Sequence, residues 1–306
     1  MRAAFIRALT DVAAADPRII LLVGDLGYTV VEPFAETYPK RFFNVGVAEQ
    51  DMIGIATGLA EGGFIPYAYS IATFAALRPY EFIRNGPILH QLPVRVVGVG
   101  GGFEYGPAGA SHHALEDVAV MRTQPGLAVI APADHQQAAT AFRAGWAAPG
   151  PAYYRIGKDD KNVVEGLDGR FRAGRAETVR DGTDALFVAM GAVSIEAQAA
   201  VDALAGRGAR CGLTIVASVN PPPTDDLAAE LAKRPLAITV EDHFVNGGLG
   251  SLVAEVIAER GLRCRLVRCG VRVPADGLTG SERYLRGVHG LSREALVETA
   301  LRELRA

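Results

Sequence analysis

One acidic residue stands out by its surroundings. Glu49 lies in a stretch with little other charge, where an extended segment gives way to a helix rich in small residues. A carboxyl group at such a place either suits the positive end of the helix dipole or handles a proton in catalysis. Helix-start charges are the commoner case, so local physics alone does not decide for catalysis.

Other residues that could do chemistry also follow predicted strands, where ligands of open parallel sheets bind. They are Asp25, Glu49, Gly100, His112, His113 and Arg155. The adjacent residues His112 and His113 cannot easily share one metal ion, so they are either a hydrogen-bonding pair in a loop or include a substrate-facing acid–base group. The glycine triplet at 100–102 does not form a dinucleotide fingerprint, because no helix opens with the required glycine spacing.

The elements that must position these residues alternate between strand and helix. Short apolar runs such as 19–23 and 94–99 predict buried strands, and amphipathic segments between them predict helices, one of them running through 75–90. This alternation predicts an α/β fold of two domains, each a mostly parallel sheet with helices on both faces. We place the first domain at 1–158, a linker with a short strand or two at 159–181, and the second domain at 182–306.

Composition narrows the function class. The 306 residues are 49% hydrophobic and 21% charged with a net charge of −3, which fits two packed domains and offers no electrostatic footprint for nucleic acid. Three cysteines without a paired framework indicate a reducing compartment. No apolar run approaches the length of about 18 residues that spans a membrane. We therefore expect a cytoplasmic protein that does not bind membranes.

Taken together, several motifs resemble the C-terminal half of transketolase. The first domain carries Gly-Val-Ala-Glu-Gln at 46–50, Arg78 with Ile-Arg-Asn at 83–85, and the histidine-containing run at 109–117. The second domain carries Glu-Asp-His at 241–243 followed by Gly-Gly-Leu-Gly at 247–250. The combination identifies the chain as similar to the pyrimidine-binding and C-terminal domains of the thiamine-diphosphate-binding transketolase group, over nearly its whole length.

The resemblance implies a cofactor and a partner. Family enzymes hold thiamine diphosphate between two domains, one gripping the diphosphate through Mg²⁺ and the other the aminopyrimidine ring. The Gly-Asp-Gly pattern with a later Asn, which the family uses for Mg²⁺ and diphosphate, is not found in this sequence. The chain thus resembles the second subunit of a split transketolase, and we expect a separate N-terminal subunit to hold the Mg²⁺, in an α2β2 assembly.

The resemblance also assigns roles to residues. Glu49 matches the glutamate that hydrogen-bonds the pyrimidine ring nitrogen, and the cofactor then acts as the electron sink for C–C cleavage. Other matches are expected near the cofactor, namely Asp25, Ile71, Phe74 and Arg78. A further set is expected near a sugar or sugar-phosphate substrate, namely Arg2, Gly100, His112, His113 and Arg155.

Two positions depart from the pentose-phosphate transketolases that the chain resembles. Gly100 stands where they usually have a substrate-contacting histidine, and Ala108 where they usually have an aspartate that reads a hydroxyl. Both departures fall in the sugar pocket, so we expect transfer of a two-carbon ketol unit between a non-standard ketose donor and an aldose acceptor.

Two alternatives stay open at this point. One is a related thiamine enzyme, either the beta subunit of a 2-oxoacid decarboxylase or dehydrogenase, or an activity like that of deoxyxylulose-phosphate synthase. The other is a non-catalytic partner subunit, against which the presence of both Glu49 and Phe74 argues.

Overall fold

The computed structural model describes residues 1–273 and 277–305 and contains two sheets flanked by helices. The strands, in chain order, are β1 Ile19–Val23, β2 Phe42–Asn44, β3 Ile65–Ile71, β4 Arg95–Val99, β5 Ala128–Ile130, β6 Ala152–Ile156, β7 Glu177–Arg180, β8 Ala185–Met190, β9 Cys211–Ile215, β10 Ser218–Asn220, β11 Leu236–Phe244 and β12 Arg265–Val271. The α-helices are α1 Arg2–Ala15, α2 Glu32–Thr37, α3 Glu49–Glu61, α4 Ala72–Leu77, α5 Tyr80–Ile83, α6 Asp117–Arg122, α7 His135–Gly145, α8 Ser194–Ala205, α9 Thr224–Leu231, α10 Leu249–Glu259, α11 Glu282–Val288 and α12 Arg293–Arg305.

The first sheet has seven strands in the order β10-β5-β6-β4-β3-β1-β2. All its pairings are parallel except the one between β10 and β5. The strand β1 is buried along its whole length, as expected for a parallel strand covered on both faces. The carboxyl ends of β1, β3, β4 and β6 therefore meet at one edge, which is where the candidate residues lie.

The second sheet has five strands in the order β12-β11-β8-β9-β7, with only β7 antiparallel. The strand β7 lies in the stretch predicted as a linker, in agreement with the short strand expected there. The predicted fold class, two α/β domains with mostly parallel sheets, is confirmed.

The two domains are packed together rather than loosely joined. One apolar cluster includes Val96 and Val118 of the first domain together with Val188 and Leu249 of the second. Gly102 lies at one close contact between the domains: its φ is +67°, and a Cβ there would lie only 2.3 Å from Cγ of Asp242. Only glycine fits at this point without displacing the side chain of Asp242.

Two details differ from the sequence prediction. The single helix predicted through 75–90 is divided into α4, α5 and a π-helical turn over Arg84–Ile88, because Pro79 and Pro87 lack the N–H that a continuous helix requires. The strand β10, in the region assigned to the second domain, instead pairs with β5 of the first sheet, and Nδ2 of Asn220 donates to the carbonyl of Leu127 at 2.7 Å.

No helix within the described ranges is long and apolar enough to cross a membrane. The cysteines Cys211, Cys264 and Cys269 are all free thiols.

Candidate active site

The carboxyl group of Glu49 is the centre of the candidate site. It is the first residue of α3, and only 1% of it is exposed. Oγ of Ser70, at the end of β3, donates to Oε1 at 2.7 Å, and Nη1 of Arg78 donates to Oε2 at 2.7 Å. Both carboxylate oxygens therefore have a strong partner, and the position is fixed by two neighbouring elements.

The surroundings of Glu49 correct one expectation. The sequence around it suggested a neighbourhood with little charge, but the guanidinium of Arg78, 29 residues further along the chain, forms an ion pair with it. The Arg78 side chain remains 43% exposed, so water reaches one side of the pair. Beside the pair lies an open cleft of about 510 Å³, lined by Arg78 and by residues 47–51, so there is room for a ligand ring.

An aromatic row leads away from this cleft. The Arg78 guanidinium lies over the ring of half-buried Phe74, 4.0 Å from its centroid. The rings of Phe74 and His112 pack edge-on with their centroids 5.0 Å apart, and the centroid of the Tyr105 ring lies 6.4 Å from that of His112. Oγ of Ser111 is 3.0 Å from Nδ1 of His112 and orients the imidazole. Arg78 and these ring contacts thus connect Glu49, Phe74 and His112 along one surface.

Asp25 lies at the same edge, in the loop after β1. Its carboxylate accepts hydrogen bonds from Nδ2 of Asn44 at 2.9 Å and from the hydroxyl of Tyr28 at 3.1 Å. These bonds lower the pKa of Asp25 and keep its carboxyl group ionised, and the bond from Asn44 has the larger effect. Its φ of +56° is unusual for a residue other than glycine, a kind of backbone strain that clusters at functional sites. Ile71 is half-buried and is the last residue of β3.

Arg155 does not face the Glu49 cleft as an unpaired cation. It is buried in β6, where Nε pairs with Oδ2 of Asp117 at 3.0 Å and Nη2 donates to the carbonyls of Ala114 and Asp242 at 2.9 and 2.8 Å. The hydroxyl of Tyr153 donates to the same Asp117 oxygen at 2.7 Å. Arg155 therefore ties the loop after His112 to the second domain.

The remaining candidates are buried or half-buried. His113 is buried, packs edge-on against Phe103 at 5.2 Å, and lines a small cavity together with Leu285 and His289 of the second domain. Arg2 begins α1 with its Nε buried and without a hydrogen-bond partner within the described residues. Gly100 follows β4 with φ +78°, and the ring of Tyr105 packs directly against its Cα.

Sequence reasoning missed two polar residues of this site. Ser70 is a single polar residue at the end of an otherwise apolar strand, and that pattern could have indicated it. Tyr105 lies in an irregular loop where no periodicity points to a role. Among the described residues, no group of three His, Cys, Asp or Glu side chains is arranged to hold a metal ion.

The fold and site define a class of protein. Residues 1–162 match the model of the transketolase pyrimidine binding domain, and residues 174–285 match the transketolase C-terminal domain. The chain therefore belongs to the transketolase family, whose members use thiamine diphosphate, and the resemblance drawn from the sequence motifs is confirmed.

Within that family, the chain is similar to proteins of about its own length. It is 34% identical to a putative transketolase C-terminal section of Methanocaldococcus jannaschii, covering 100% of this chain and 96% of the relative. It is 31% identical to one of the subunits of an apulose-4-phosphate transketolase of Phocaeicola vulgatus, covering 98% and 96%. It is 33% identical to a 6-deoxy-6-sulfo-D-fructose transketolase subunit of a Clostridium species, covering 98% and 93%.

A solved structure agrees with this placement. The chain superposes with a TM-score of 0.88 and 33% identity on a split gene transketolase described as an inactive beta4 tetramer, covering 99% of this chain and 97% of the other. The chain is thus of the transketolase type of transferase and corresponds to one subunit of a divided enzyme.

Proposed function

We propose that this chain is the pyrimidine-binding subunit of a split transketolase, which transfers a two-carbon ketol unit from a ketose donor to an aldose acceptor. The observation that carries the proposal is the buried carboxyl group of Glu49 at the start of α3, held by Ser70 and Arg78 at the edge of an open cleft. The carboxyl group is buried and bonded through both oxygens, yet it borders a cleft that is open to a ligand ring.

The residues present fit the pyrimidine half of thiamine diphosphate. A carboxyl group can hydrogen-bond a ring nitrogen, and the face of the Phe74 ring offers a stacking surface that the half-exposed end of Arg78 covers in the isolated chain. We assign Asp25 and Ile71 to the border of this site, where Asp25 is ionised and faces solvent in the isolated chain. When bound, thiamine diphosphate supplies the carbon nucleophile and electron sink for C–C cleavage.

The chain's own residues then have separate tasks. Glu49 holds or gives a proton at the ring nitrogen, and Arg78 sets the charge beside it. His112, fixed by Ser111 and Phe74, faces the substrate and handles its hydroxyl protons. Arg155, expected from the sequence to bind substrate, acts in this proposal through the loop that it holds, because its guanidinium is already paired.

The substrate is proposed to be a non-standard sugar or sugar phosphate. Gly100 and Ala108 both lack the polar side chains expected in a pentose-phosphate pocket. The related subunits named above act, by their names, on apulose 4-phosphate and on a sulfonated sugar. Arg2 is the cation that we assign to an anionic end of the substrate, and His113 supports the pocket from behind.

A partner subunit completes the site. Large apolar side chains are exposed at the Glu49 cleft and on neighbouring elements: Val47 in the cleft is 67% exposed, Ile55 on α3 44% and Phe82 on α5 40%, and such side chains mark interaction surfaces. We propose that an N-terminal transketolase subunit covers them and contributes the Mg²⁺ and diphosphate site in an α2β2 assembly. A cytoplasmic location belongs to the same proposal.

The experiment is reconstitution. The chain is co-expressed with an N-terminal transketolase subunit from the same organism, the complex is purified, and ketoses and aldoses, free and phosphorylated, are supplied with thiamine diphosphate and Mg²⁺. We expect ketol transfer without release of CO₂. Decarboxylation of pyruvate would instead support the 2-oxoacid or deoxyxylulose-phosphate-synthase alternatives.

A second arm tests the non-catalytic alternative. The complex containing Glu49→Ala is compared with wild type, and we expect activity to be lost while the complex still assembles. Full activity of this variant would make a purely supporting role the better explanation. The isolated chain, even with Mg²⁺ and thiamine diphosphate, is expected to show no turnover.

A further inference from the structure

Tyr105 and Gly100 form a fitted pair at the carboxyl end of β4. A Cβ added to Gly100 would lie 2.2 Å from Cε2 and 2.3 Å from Cδ2 of the Tyr105 ring, and Gly100 has φ +78°. Real atoms do not approach so closely, so any side chain at position 100 would displace the ring. The ring of Tyr105 thus occupies the volume that a side chain at position 100 would fill.

The Tyr105 ring borders the proposed active site. It is half-buried and lies 6.4 Å from the ring of His112, which itself contacts Phe74. The ammonium group of Lys158 lies over its face, with Nζ 4.2 Å from the ring centroid. The same Nζ donates to the carbonyl of Glu104 at 2.8 Å, which fixes its position. These contacts hold the ring in one place while leaving part of it open.

The polar groups around Tyr105 lack partners in the isolated chain. Within residues 1–273 and 277–305, the phenol hydroxyl of Tyr105 makes no hydrogen bond to the protein, and neither Nε of Arg2 nor the hydroxyl of fully buried Tyr69 has one. Burial raises the pKa of Tyr105, although the charge of Arg2 opposes the rise, so the hydroxyl stays protonated and can donate. Buried polar groups without partners, here Nε of Arg2 and the hydroxyl of Tyr69, indicate a water or ligand that completes them.

We propose that Tyr105 is a specificity-determining residue, whose ring forms the pocket wall above Gly100 and whose hydroxyl donates a hydrogen bond to an oxygen atom of the sugar substrate. The inference rests on the proposed ketol transfer and adds the residue that compensates for the missing side chain at position 100.

The test uses the reconstituted complex with Tyr105→Phe, which removes only the hydroxyl, and Tyr105→Leu, which also opens the wall. Tyr284→Phe is the matched control, since Tyr284 is a 51% exposed phenol on α11. For each variant, kcat and KM are measured over a panel of ketoses and aldoses that differ by one hydroxyl or by a phosphate, together with KM for thiamine diphosphate.

The expected result is a change in selectivity at constant cofactor affinity. Tyr105→Phe should lower kcat/KM about tenfold for the sugar whose oxygen it binds, and leave the analogue without that oxygen unchanged. Tyr105→Leu should reduce the discrimination between bulky and slender substrates. Unchanged substrate ratios in both variants, with an active wild type, would overturn the inference alone. A wild-type complex that transfers no ketol unit would overturn the proposed function and this inference with it.

Discussion

Replacing Glu49 by glutamine changes one atom type at the centre of the proposed site. The amide can still accept from Oγ of Ser70, which lies 2.7 Å from Oε1 in the wild-type chain. It cannot carry the charge that pairs with Arg78, and it cannot hold or release a proton at a ring nitrogen. Glu49→Gln therefore separates proton handling from simple packing better than a truncation does.

The two expected effects differ greatly in size. Loss of the charged partner should cost stability at the low end of about 1–3 kcal/mol, because the Arg78 side chain is 43% exposed and water takes over part of the interaction. Loss of general acid–base function typically lowers a rate by about 10²–10⁴-fold. A fall in kcat of that size cannot come from partial unfolding caused by so small a stability change.

The assay is steady-state ketol transfer by the reconstituted complex at saturating thiamine diphosphate. Glu61→Gln provides the control, because it makes the same chemical change at the exposed other end of α3. Thermal unfolding of both variants shows how much fold is lost. If Glu49→Gln kept kcat within about threefold of wild type, the assignment of Glu49 as the proton-handling group would be refuted.

Two further predictions concern the contact between the domains. Asp117→Asn leaves buried Arg155 without its counter-charge and should lower the free energy of unfolding in urea by about 3–5 kcal/mol. The control Asp51→Asn, at an exposed position, should change it by less than about 0.5 kcal/mol. Equal losses in the two variants would contradict a structural ion pair. Burial lowers the pKa of His243 from 6.5 to about 4. Because the unfolded chain binds the proton at a higher pH than the folded chain, the free energy of unfolding falls by up to about 3 kcal/mol as the pH drops from 6.5 towards 4. The free energy of unfolding should fall less steeply with acid in His243→Gln, while His90→Gln, an exposed position, should keep the wild-type slope; identical slopes for all three would refute this assignment.

Much of the fold was predictable because it depends on local patterns. Continuous apolar runs such as β1 reveal parallel strands, and small or amphipathic segments between them reveal helices. The position of Glu49 at a helix start followed from the same local patterns. These features are decided by residues close together in the chain.

The parts that sequence reasoning missed depend on contacts between distant residues. Nothing near Glu49 indicates that Arg78 pairs with it, nor does the sequence around Arg155 indicate Asp117 as its partner. The ring of Tyr105 above Gly100 follows from the path of an irregular loop, for which no periodicity exists. Each of these changes the chemistry of the site without changing the fold.

The strand β10 has a practical consequence for protein engineering. Ser218–Asn220 lie beyond the junction between the two matched domains, yet they form the edge of the first sheet beside β5. A chimera that exchanged everything after residue 174 for the same region of a relative would also replace that edge. Such swaps should succeed only when the donor's edge strand is compatible with the recipient's β5, so the two halves are not interchangeable modules.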